Sequence, residues 1–526
     1  MSNGSHILTA LARDNAGKRK ISSRVAVNVS NPIRKRFSNQ LTRTFTISGS
    51  GGASFFTGTG STLTDNSSVT STSDPLQIGY AGVQMDTTPS SPSGFAILSG
   101  RVGGVLVGEA SVPAASTMSS GRVYANINGS LNTGIAFANP NDEDAVISFY
   151  FTDASGNNFG QGSLTLGANL QISRFLSQAP FNVNTSIPVN GNTPVEGTFT
   201  FNSSVPVGVT AIQGFTNQRN EFLISILPVA SLGELNNNAV LLPHFTDGAG
   251  WTTQVVLTNP SDDSINGTVQ FFGPGSTNQD ATPLTLSVNG VMSSTFNYGI
   301  ASRSVVRLVT GNTGDSVQTG SVRITPSSGT APVAVEIFSF RNRGITVSQA
   351  SILAAATGST FRMYAETSGP VTQPLSIQSG VAISNPGQTP ATVNIVLTQM
   401  DGSIVGQPTT VTLPPSGQTA RFVKELFPSS PNNFNGFIAV TASSPIGVVG
   451  LRMRYNERGD FLMAPTPPRN DSETLMDSEI MFPHVVSSGA GYSSQFVIFG
   501  QAGSGGIYFN SADGAPMPTG SLQPVQ

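Results

Sequence analysis

Two short segments of this 526-residue chain place a histidine close to an aromatic residue and a glutamine. The first, PHFTDGAGWTTQ, contains His244, Trp251 and Gln254, and Trp251 is the single tryptophan of the sequence. The second, PHVVSSGAGYSSQ, contains another histidine and Tyr492. Because aromatic rings stack on the faces of sugars, His244, Trp251, Gln254 and Tyr492 are candidates for glycan binding. The alternative is a repeated structural loop, whose aromatic ring folds over the edge of the fold while the histidine satisfies a backbone carbonyl.

Catalysis by either histidine would need a nucleophile or a carboxylate held beside it. No G-x-S-x-G motif, HExxH motif or spaced carboxylate pair accompanies the two segments. The chain has three histidines and no cysteine, which excludes thiol chemistry and thiolate metal sites. We therefore predict a protein that is not an enzyme and needs no cofactor.

Acidic turns follow two of the Asn-Pro pairs in the sequence. The turn NDEDA contains Asp142 and Asp144, and the turn SDDSI contains Asp262 and Asp263. Carboxylate oxygens are the ligands that calcium prefers, so these four residues are candidates for a calcium site. A third Asn-Pro pair is followed by GQTPA, which has no carboxylate. This loss favours solvated turns over an integral metal site.

Internal repetition determines the organisation of the chain. The segment PSGFAILSGRVGGVLVGEASVPAA aligns without a gap with PVAVEIFSFRNRGITVSQASILAA, which begins 240 positions later. His244 and His484 are separated by the same 240 positions. A second pair, TGIAFANPNDEDAVISFY and SGVAISNPGQTPATVNIV, belongs to a different unit. Two unit types of about 120 residues therefore alternate: type A, and type B, which carries the histidine.

Apolar residues within each unit alternate with a period of two, as in TVNIVLTQM and SVRITP. The apolar runs are short and stop at Gly, Pro, Asn or Asp, which supply turn geometry. Six to eight short strands per unit, with no long amphipathic helix, predict antiparallel β-sandwiches. The predicted fold class is all-β, with tandem antiparallel, immunoglobulin-like sandwich domains of two alternating types.

The first 30 residues read differently from the repeats. They follow the pattern N-G-x-H-x-L-x-A-x-A-x-D-x-A-G and then a V-x-V-x-V strand, and so resemble the last two strands of a bacterial immunoglobulin-like domain. The matching residues are His6, Leu8, Ala10, Ala12, Asp14, Ala16, Gly17, Val25, Val27 and Val29. The A and B units resemble tandem repeats at the C-terminal ends of large secreted bacterial proteins. These resemblances imply a longer, exported protein and supply no catalytic motif.

The repeats predict six segments, of which the first and last repeat units are incomplete. They are the last strands of an immunoglobulin-like domain (1–32), a partial type B sandwich (33–116), a type A sandwich (117–235), a type B sandwich (236–358), a type A sandwich (359–467) and a truncated type B sandwich (468–526). Isolated strand sets expose unpaired edges. We therefore hypothesise that 468–526 pairs with 40–116, within one chain or between chains; the alternative is that the last 50 residues are poorly ordered.

Charged residues are sparse, at 10% of the chain, and the net charge is −3. Some arginines alternate along predicted strands, which places them on a solvent face or beside acidic residues. The arginines are Arg341, Arg343, Arg452 and Arg454, and the acidic residues are Glu336 and Glu457. The repeats carry too little positive charge for a polyanion-binding stripe, so no nucleic-acid partner is expected.

The leading functional hypothesis is a non-catalytic, secreted or cell-surface bacterial protein whose sandwiches serve as a stalk, adhesion or matrix module. The alternative is an array of carbohydrate-binding modules attached to an upstream enzyme. The expected partners are glycans or other surface proteins, and the oligomeric state is left open. No apolar run approaches the ~18 residues of a transmembrane helix. The first residues lack the order of a signal peptide, so an extracellular or cell-surface location implies an export signal that this chain does not contain.

Overall fold

The computed structural model describes residues 42–57, 76–86, 92–182, 194–233, 235–276, 278–473, 479–486 and 491–517, and the backbone of four short strands near the N terminus. The protein is all-β, and the single helix of the described part is one turn long. No described helix is long and apolar enough to cross a membrane.

The first half of the described chain contains 17 strands. They are β1 (Gly4–Leu8), β2 (Leu11–Arg13), β3 (Arg19–Ile21), β4 (Val25–Val29), β5 (Thr42–Ile47), β6 (Gly52–Phe56), β7 (Ile78–Met85), β8 (Ser93–Val102), β9 (Val105–Pro113), β10 (Met118–Asn128), β11 (Leu131–Ala138), β12 (Ala145–Asp153), β13 (Asn158–Leu166), β14 (Gln171–Phe175), β15 (Val195–Thr216), β16 (Phe222–Leu227) and β17 (Ala230–Ser231).

The second half contains the remaining strands and the helix. They are β18 (Val240–Asp247), β19 (Trp251–Thr258), β20 (Ile265–Phe272), β21 (Leu286–Val288), β22 (Val291–Ser293), β23 (Thr295–Ile300), β24 (Val305–Val309), β25 (Gln318–Ser328), β26 (Val333–Asn342), β27 (Ile345–Leu353), β28 (Gly358–Ser368), β29 (Ile377–Ser384), β30 (Ala391–Gln399), β31 (Ile404–Leu413), β32 (Gln418–Phe422), α1 (Val423–Leu426), β33 (Phe434–Tyr455), β34 (Phe461–Thr466), β35 (Arg469–Asn470), β36 (Glu479–Val486), β37 (Tyr492–Phe499) and β38 (Gly503–Ser511).

The strands near the N terminus form two small antiparallel ladders. β1 pairs with β4, and β2 pairs with β3. The side chains that carry the immunoglobulin-like resemblance lie outside the described part of the structure.

Sandwich A1 comprises β10–β17 and is built around one long strand. The first half of the 22-residue β15 pairs with β10 and β12, and its second half pairs with β11 and β16. β15 therefore belongs to both layers, and apolar residues from its two halves, such as Phe199 and Val209, share one core. Sandwich A2, which comprises β28–β35, repeats this topology with β33 in the place of β15.

Sandwich B1 comprises β18–β27 and has two four-stranded sheets. Their strand orders are β18-β25-β20-β23 and β24-β19-β26-β27, with β21 and β22 as a separate hairpin. Phe245, Leu257, Phe271 and Val322 are completely buried between the sheets. The period-two pattern seen in the sequence puts these residues on the inner faces.

Sandwich B2 is assembled from the two ends of the repeat region. Its sheets have the orders β36-β7-β38-β5 and β6-β37-β8-β9, which match those of B1 strand for strand. β36, β37 and β38 come from the C-terminal fragment, whereas β5–β9 come from the N-terminal fragment. The hypothesis that the two fragments pair is confirmed, and they pair within one chain.

The four sandwiches close into a ring in the order A1, B1, A2, B2. At its centre, β9, β16, β27 and β34 pack in a closed circle, each against two neighbours; we call these four strands the hub. Every interface between adjacent sandwiches buries apolar side chains. Examples are Val335 of B1 in the core of A1, Phe338 against Val449 between B1 and A2, and Phe95 against Tyr364 between B2 and A2.

Two reciprocal ion pairs join A1 and A2 across the hub. Arg219 of A1 lies 2.7 Å from Asp460 of A2, and Arg458 of A2 lies 2.6 Å from Glu221 of A1. The exchange of roles shows that A1–B1 and A2–B2 are related by an approximate two-fold axis through the hub. Both arginines are about one-third exposed, so each pair is expected to stabilise the ring by only about 0–1 kcal/mol.

The Asn of each Asn-Pro pair fixes the turn that follows its strand. Asn139 Nδ2 donates to the carbonyls of Glu143, Leu166 and Gly167. Asn259 and Asn385 make three equivalent donations in B1 and A2. The proline ends the strand because it has no N–H, and the asparagine satisfies carbonyls that would otherwise be buried without a donor.

Candidate functional site

The two Pro-His segments occupy equivalent positions in B1 and B2. In β18 the ladder to β25 is irregular between Leu242 and Phe245, and in β36 the ladder to β7 is irregular between Phe482 and Val485. A proline cannot donate to the ladder, and a bulge redirects the neighbouring side chain. Both histidines are accordingly turned towards the adjacent type A sandwich.

Each histidine bonds to a side chain of that neighbouring sandwich. His244 Nδ1 lies 3.0 Å from Gln418 Nε2 of A2, and His484 Nδ1 lies 2.9 Å from Ser173 Oγ of A1. The repeated structural loop considered from the sequence would have its histidine bonded to a backbone carbonyl. The structure instead places both histidines at interfaces between sandwiches, in matching surroundings.

The contact between Ser173 and His484 has the geometry by which a base activates a serine nucleophile. Burial lowers the pKa of His484 to about 4, which makes its ring a weak base at neutral pH. No described acidic residue forms an ion pair with this ring. The position of Ser173 in A1 is occupied by Ala420 in A2. The geometry therefore fits an interface contact better than a catalytic pair.

The buried histidines predict that the ring loses stability in mild acid. Burial lowers the pKa of both His244 and His484 to about 4, against 6.5 for an ordinary histidine. Their contribution is complete above about pH 6.5 and is lost as the pH falls towards 4, because the unfolded chain then binds more protons. By pH 4 the expected loss is up to about 3 kcal/mol for His244, and less for the partly exposed His484.

Urea unfolding measured between pH 7 and pH 4 tests this prediction. The wild-type midpoint should fall more steeply than that of a His244→Gln/His484→Gln double variant, because glutamine does not titrate. Equal acid sensitivity of the two proteins would contradict the assignment.

The glycan-binding candidates do not meet at one surface. Trp251 is half-buried and stacks on Phe340, with ring centroids 4.6 Å apart. His244 lies in the opposite sheet of B1. Gln254 is three residues along β19 from Trp251 and so lies on the other face, where its Oε1 is 3.5 Å from Nη1 of Arg307. Tyr492 belongs to B2.

The calcium candidates lie in exposed turns. Asp144 accepts a hydrogen bond from the Ala168 backbone, and Asp262 forms ion pairs with Arg303 and Arg122 at 3.4 and 3.8 Å. Asp142 and Asp263 are also exposed. In the part of the chain that the structure describes, no three His, Asp or Glu side chains converge as metal ligands would.

The predicted surroundings of Arg452 and Arg454, a solvent face or a pairing with Glu336 and Glu457, are not those in the structure. Arg452 is buried between Glu109 of B2 and Glu366 of A2, and Arg454 lies 3.2 Å from Glu109. Burial alone would raise the pKa of Glu109, but the two arginines outweigh burial and hold the pKa below its usual value. These four residues form the charged cluster of the A2–B2 interface.

Glu457 and Glu336 also have surroundings that differ from the prediction. Glu457 pairs with Arg101 of B2 at 2.6 Å. Glu336 is buried in B1 without a hydrogen-bond partner among the described residues, and burial raises the pKa of its carboxyl well above the usual range. Arg341 and Arg343 are exposed, as expected. A period-two pattern identifies a face but not the neighbouring sandwich that covers it.

Two arginines at equivalent positions of A1 and A2 also join successive sandwiches, although neither was predicted from the sequence to have a role. Arg122 of A1 donates to the carbonyl of Asn259 in B1, and Arg362 of A2 donates to the carbonyl of Gly500 in B2. Both arginines are almost completely buried. Their separation of 240 positions was the available signal.

Comparison with known proteins assigns this chain to no family. No protein-family model matches the chain, and no curated protein matches it. Solved capsid structures of infectious bursal disease virus are aligned at low similarity. The Gx strain structure has 10% identity and a TM-score of 0.11, and covers 79% of this chain and 88% of that one. The T13 viral particle has the same identity and TM-score, with coverages of 80% and 84%. These scores support no inference about fold or function.

Proposed function

We propose that this chain is a non-catalytic binding module of a secreted or cell-surface bacterial protein, with a role in adhesion or in an extracellular matrix. The proposal is supported by the location of the side chains whose chemistry could serve catalysis, since they lie at interfaces between sandwiches. His244, His484 and the charged cluster of Glu109, Glu366, Arg452 and Arg454 all hold sandwiches together.

The closed ring favours a compact binding head over a stalk. Sandwiches in series extend a protein by one domain length each, whereas this ring returns the chain to B2, the sandwich to which its first repeat fragment belongs. Its outward loops therefore offer several surfaces on one rigid body, as expected of functional loops on a rigid scaffold.

Retention of chain-coated beads on layers of purified surface glycans and extracellular matrix proteins tests the proposal. The folded chain should be retained on at least one layer, and beads carrying the heat-unfolded chain should not. Absence of retention on every layer would contradict an adhesive role.

A hydrolase remains the competing class because of the contact between Ser173 and His484. We expect hydrolysis of 4-nitrophenyl acetate by the wild type to be no faster than by a Ser173→Ala variant. A rate that depends on Ser173 would replace the proposal with an esterase.

The second candidate is a carbohydrate-binding module. A glycan array probed with the wild type and with a folded Trp251→Ala variant separates it from protein adhesion, because alanine removes the aromatic ring that would stack on a sugar. Glycan binding that is lost in this variant would favour the carbohydrate-binding module.

A further inference from the structure

Sandwiches B2 and A1 leave an apolar cleft between them with a volume of about 270 Å³. This is close to the lower limit of ordinary small-molecule sites. Its walls come from both sandwiches and are aliphatic and aromatic. The apolar side chains of the walls include Leu98, Ile212, Ile224, Phe175, Phe222 and Tyr492.

Aromatic rings occupy one end of the equivalent region between B1 and A2, and a smaller cleft of about 200 Å³ remains at its other end, beside His244. Phe340 stacks on Trp251 with centroids 4.6 Å apart, and it meets Phe461 edge-on at 6.2 Å. Trp251 also meets Phe461 edge-on, at 5.8 Å. Phe340 thus lies against both other rings and joins the two sandwiches.

The B2–A1 interface lacks this ring because a glycine stands in its place. Trp251 faces Phe340 across the β19–β26 ladder, and Tyr492 faces Gly100 across the equivalent β37–β8 ladder. Phe222 occupies the position of Phe461. The cleft therefore retains an aromatic ring from each sandwich and lacks the one that would lie against both.

A second glycine enlarges the difference between the interfaces. Gly214 in β15 corresponds to Met453 in β33, and a Cβ atom at Gly214 would lie 2.4 Å from Cζ of Phe222. Phe222 thus rests directly on the backbone of β15. Each sandwich of the B2–A1 interface therefore has a glycine at a position where the B1–A2 interface has a larger side chain.

We propose that this cleft binds a small molecule with one aromatic ring, which takes the place that Phe340 fills in the other interface. Tyr492 offers a stacking face and Phe222 a wall for an edge-on contact, the arrangements that aromatic pairs prefer. Apolar cavities in proteins accept small aromatic molecules. The site is separate from the adhesive role and does not depend on it.

Polar groups of the cleft select the substituents of this ligand. They are Arg174, Gln178, Thr210 and the hydrogen-bonded pair of Ser173 and His484, which line the cleft beside the apolar walls. An anionic substituent on the aromatic ring would face the guanidinium of Arg174. Because Arg174 is exposed, the gain in affinity from this charge is expected to be no more than about fivefold.

Titration of the whole chain with fluorobenzene and with 4-fluorophenylacetate, followed by ¹⁹F NMR, tests the proposal. The wild type should bind both probes at one saturable site, and Gly100→Phe should weaken both by at least tenfold by restoring the missing ring. Arg174→Ala should affect only 4-fluorophenylacetate. Absence of saturable binding to the wild type, or unchanged binding to a folded Gly100→Phe variant, would overturn the proposal.

Two further variants keep the proposal testable if Gly100→Phe does not fold, since a Cβ atom there would lie 3.2 Å from Cε1 of Tyr492. Tyr492→Ala should weaken fluorobenzene binding at least tenfold, because the stacking face is removed. Phe340→Gly should enlarge the smaller cleft between B1 and A2 into a second site and raise the stoichiometry from one to two. Unchanged affinity in Tyr492→Ala would refute the assignment of the site.

Discussion

Removal of residues 479–526 is expected to unfold sandwich B2 and to open the ring. The deletion takes away β37 from between β6 and β8, and β38 from between β5 and β7. It also removes Phe482, Phe496 and Phe509 from the B2 core. These three side chains alone contribute roughly 5–9 kcal/mol of burial, which is comparable with the whole net stability of a domain.

Hydrogen exchange and small-angle X-ray scattering measure this effect. Backbone amides of 76–86 and 92–113 should lose protection, and the radius of gyration should rise. Deletion of 518–526 is the matched control, because it removes none of the contacts that the structure describes. Protected B2 strands in the longer deletion would show that the N-terminal fragment folds without its partner.

Glu109→Ala is expected to destabilise the A2–B2 interface by about 3–5 kcal/mol. Glu109 accepts from both Arg452 and Arg454, and its removal leaves two buried guanidinium groups with Glu366 as the one carboxylate of the charged cluster. An uncompensated buried charge is far more costly than a neutral group of similar size. The measurement is the midpoint of urea unfolding, followed by hydrogen exchange in β9 and β33.

The A1–B1 interface supplies a matched control for this variant. At the equivalent positions it has four uncharged residues, namely Gln349, Asn126, Gln213 and Phe215. A quadruple variant with Glu109→Gln, Glu366→Asn, Arg452→Gln and Arg454→Phe should therefore recover most of the lost stability, since neutral replacement of a whole buried cluster is often tolerated. A Glu109→Ala midpoint equal to that of the wild type would contradict this account of the cluster.

The sequence was sufficient to predict the sandwiches but not the ring. Strand alternation and the 240-residue offset depend on contacts within a unit, which repeat along the chain. The hub strands β9, β16, β27 and β34 meet through contacts between units, and a repeat in the sequence does not show which units contact each other. The pairing of the two end fragments was predictable because incomplete sandwiches expose strand edges.

The candidate sites illustrate the same limit at the level of single residues. The repeated Pro-His segment correctly indicated two equivalent environments, but not that each histidine contacts another sandwich. The sequence did not predict the apolar cleft between B2 and A1, because the relevant difference is a missing side chain: Gly100 stands where the other copy has Phe340. Only the assembled structure shows that Tyr492 and Phe222 line one cleft.

One chain closes its own ring by pairing β5 with β38. Thr46 and Ser504 face each other on these strands, with their hydroxyl oxygens 3.3 Å apart and both side chains exposed. Because the chain has no cysteine, the intended bond is the one intrachain disulfide that a Thr46→Cys/Ser504→Cys variant can form, and antiparallel partners are within the required distance. Mass spectrometry of the oxidised monomer, with Thr46→Cys/Ser155→Cys as control, is predicted to show an intrachain disulfide in the first variant alone. Free thiols, or a disulfide found only between two chains, would contradict the closed ring.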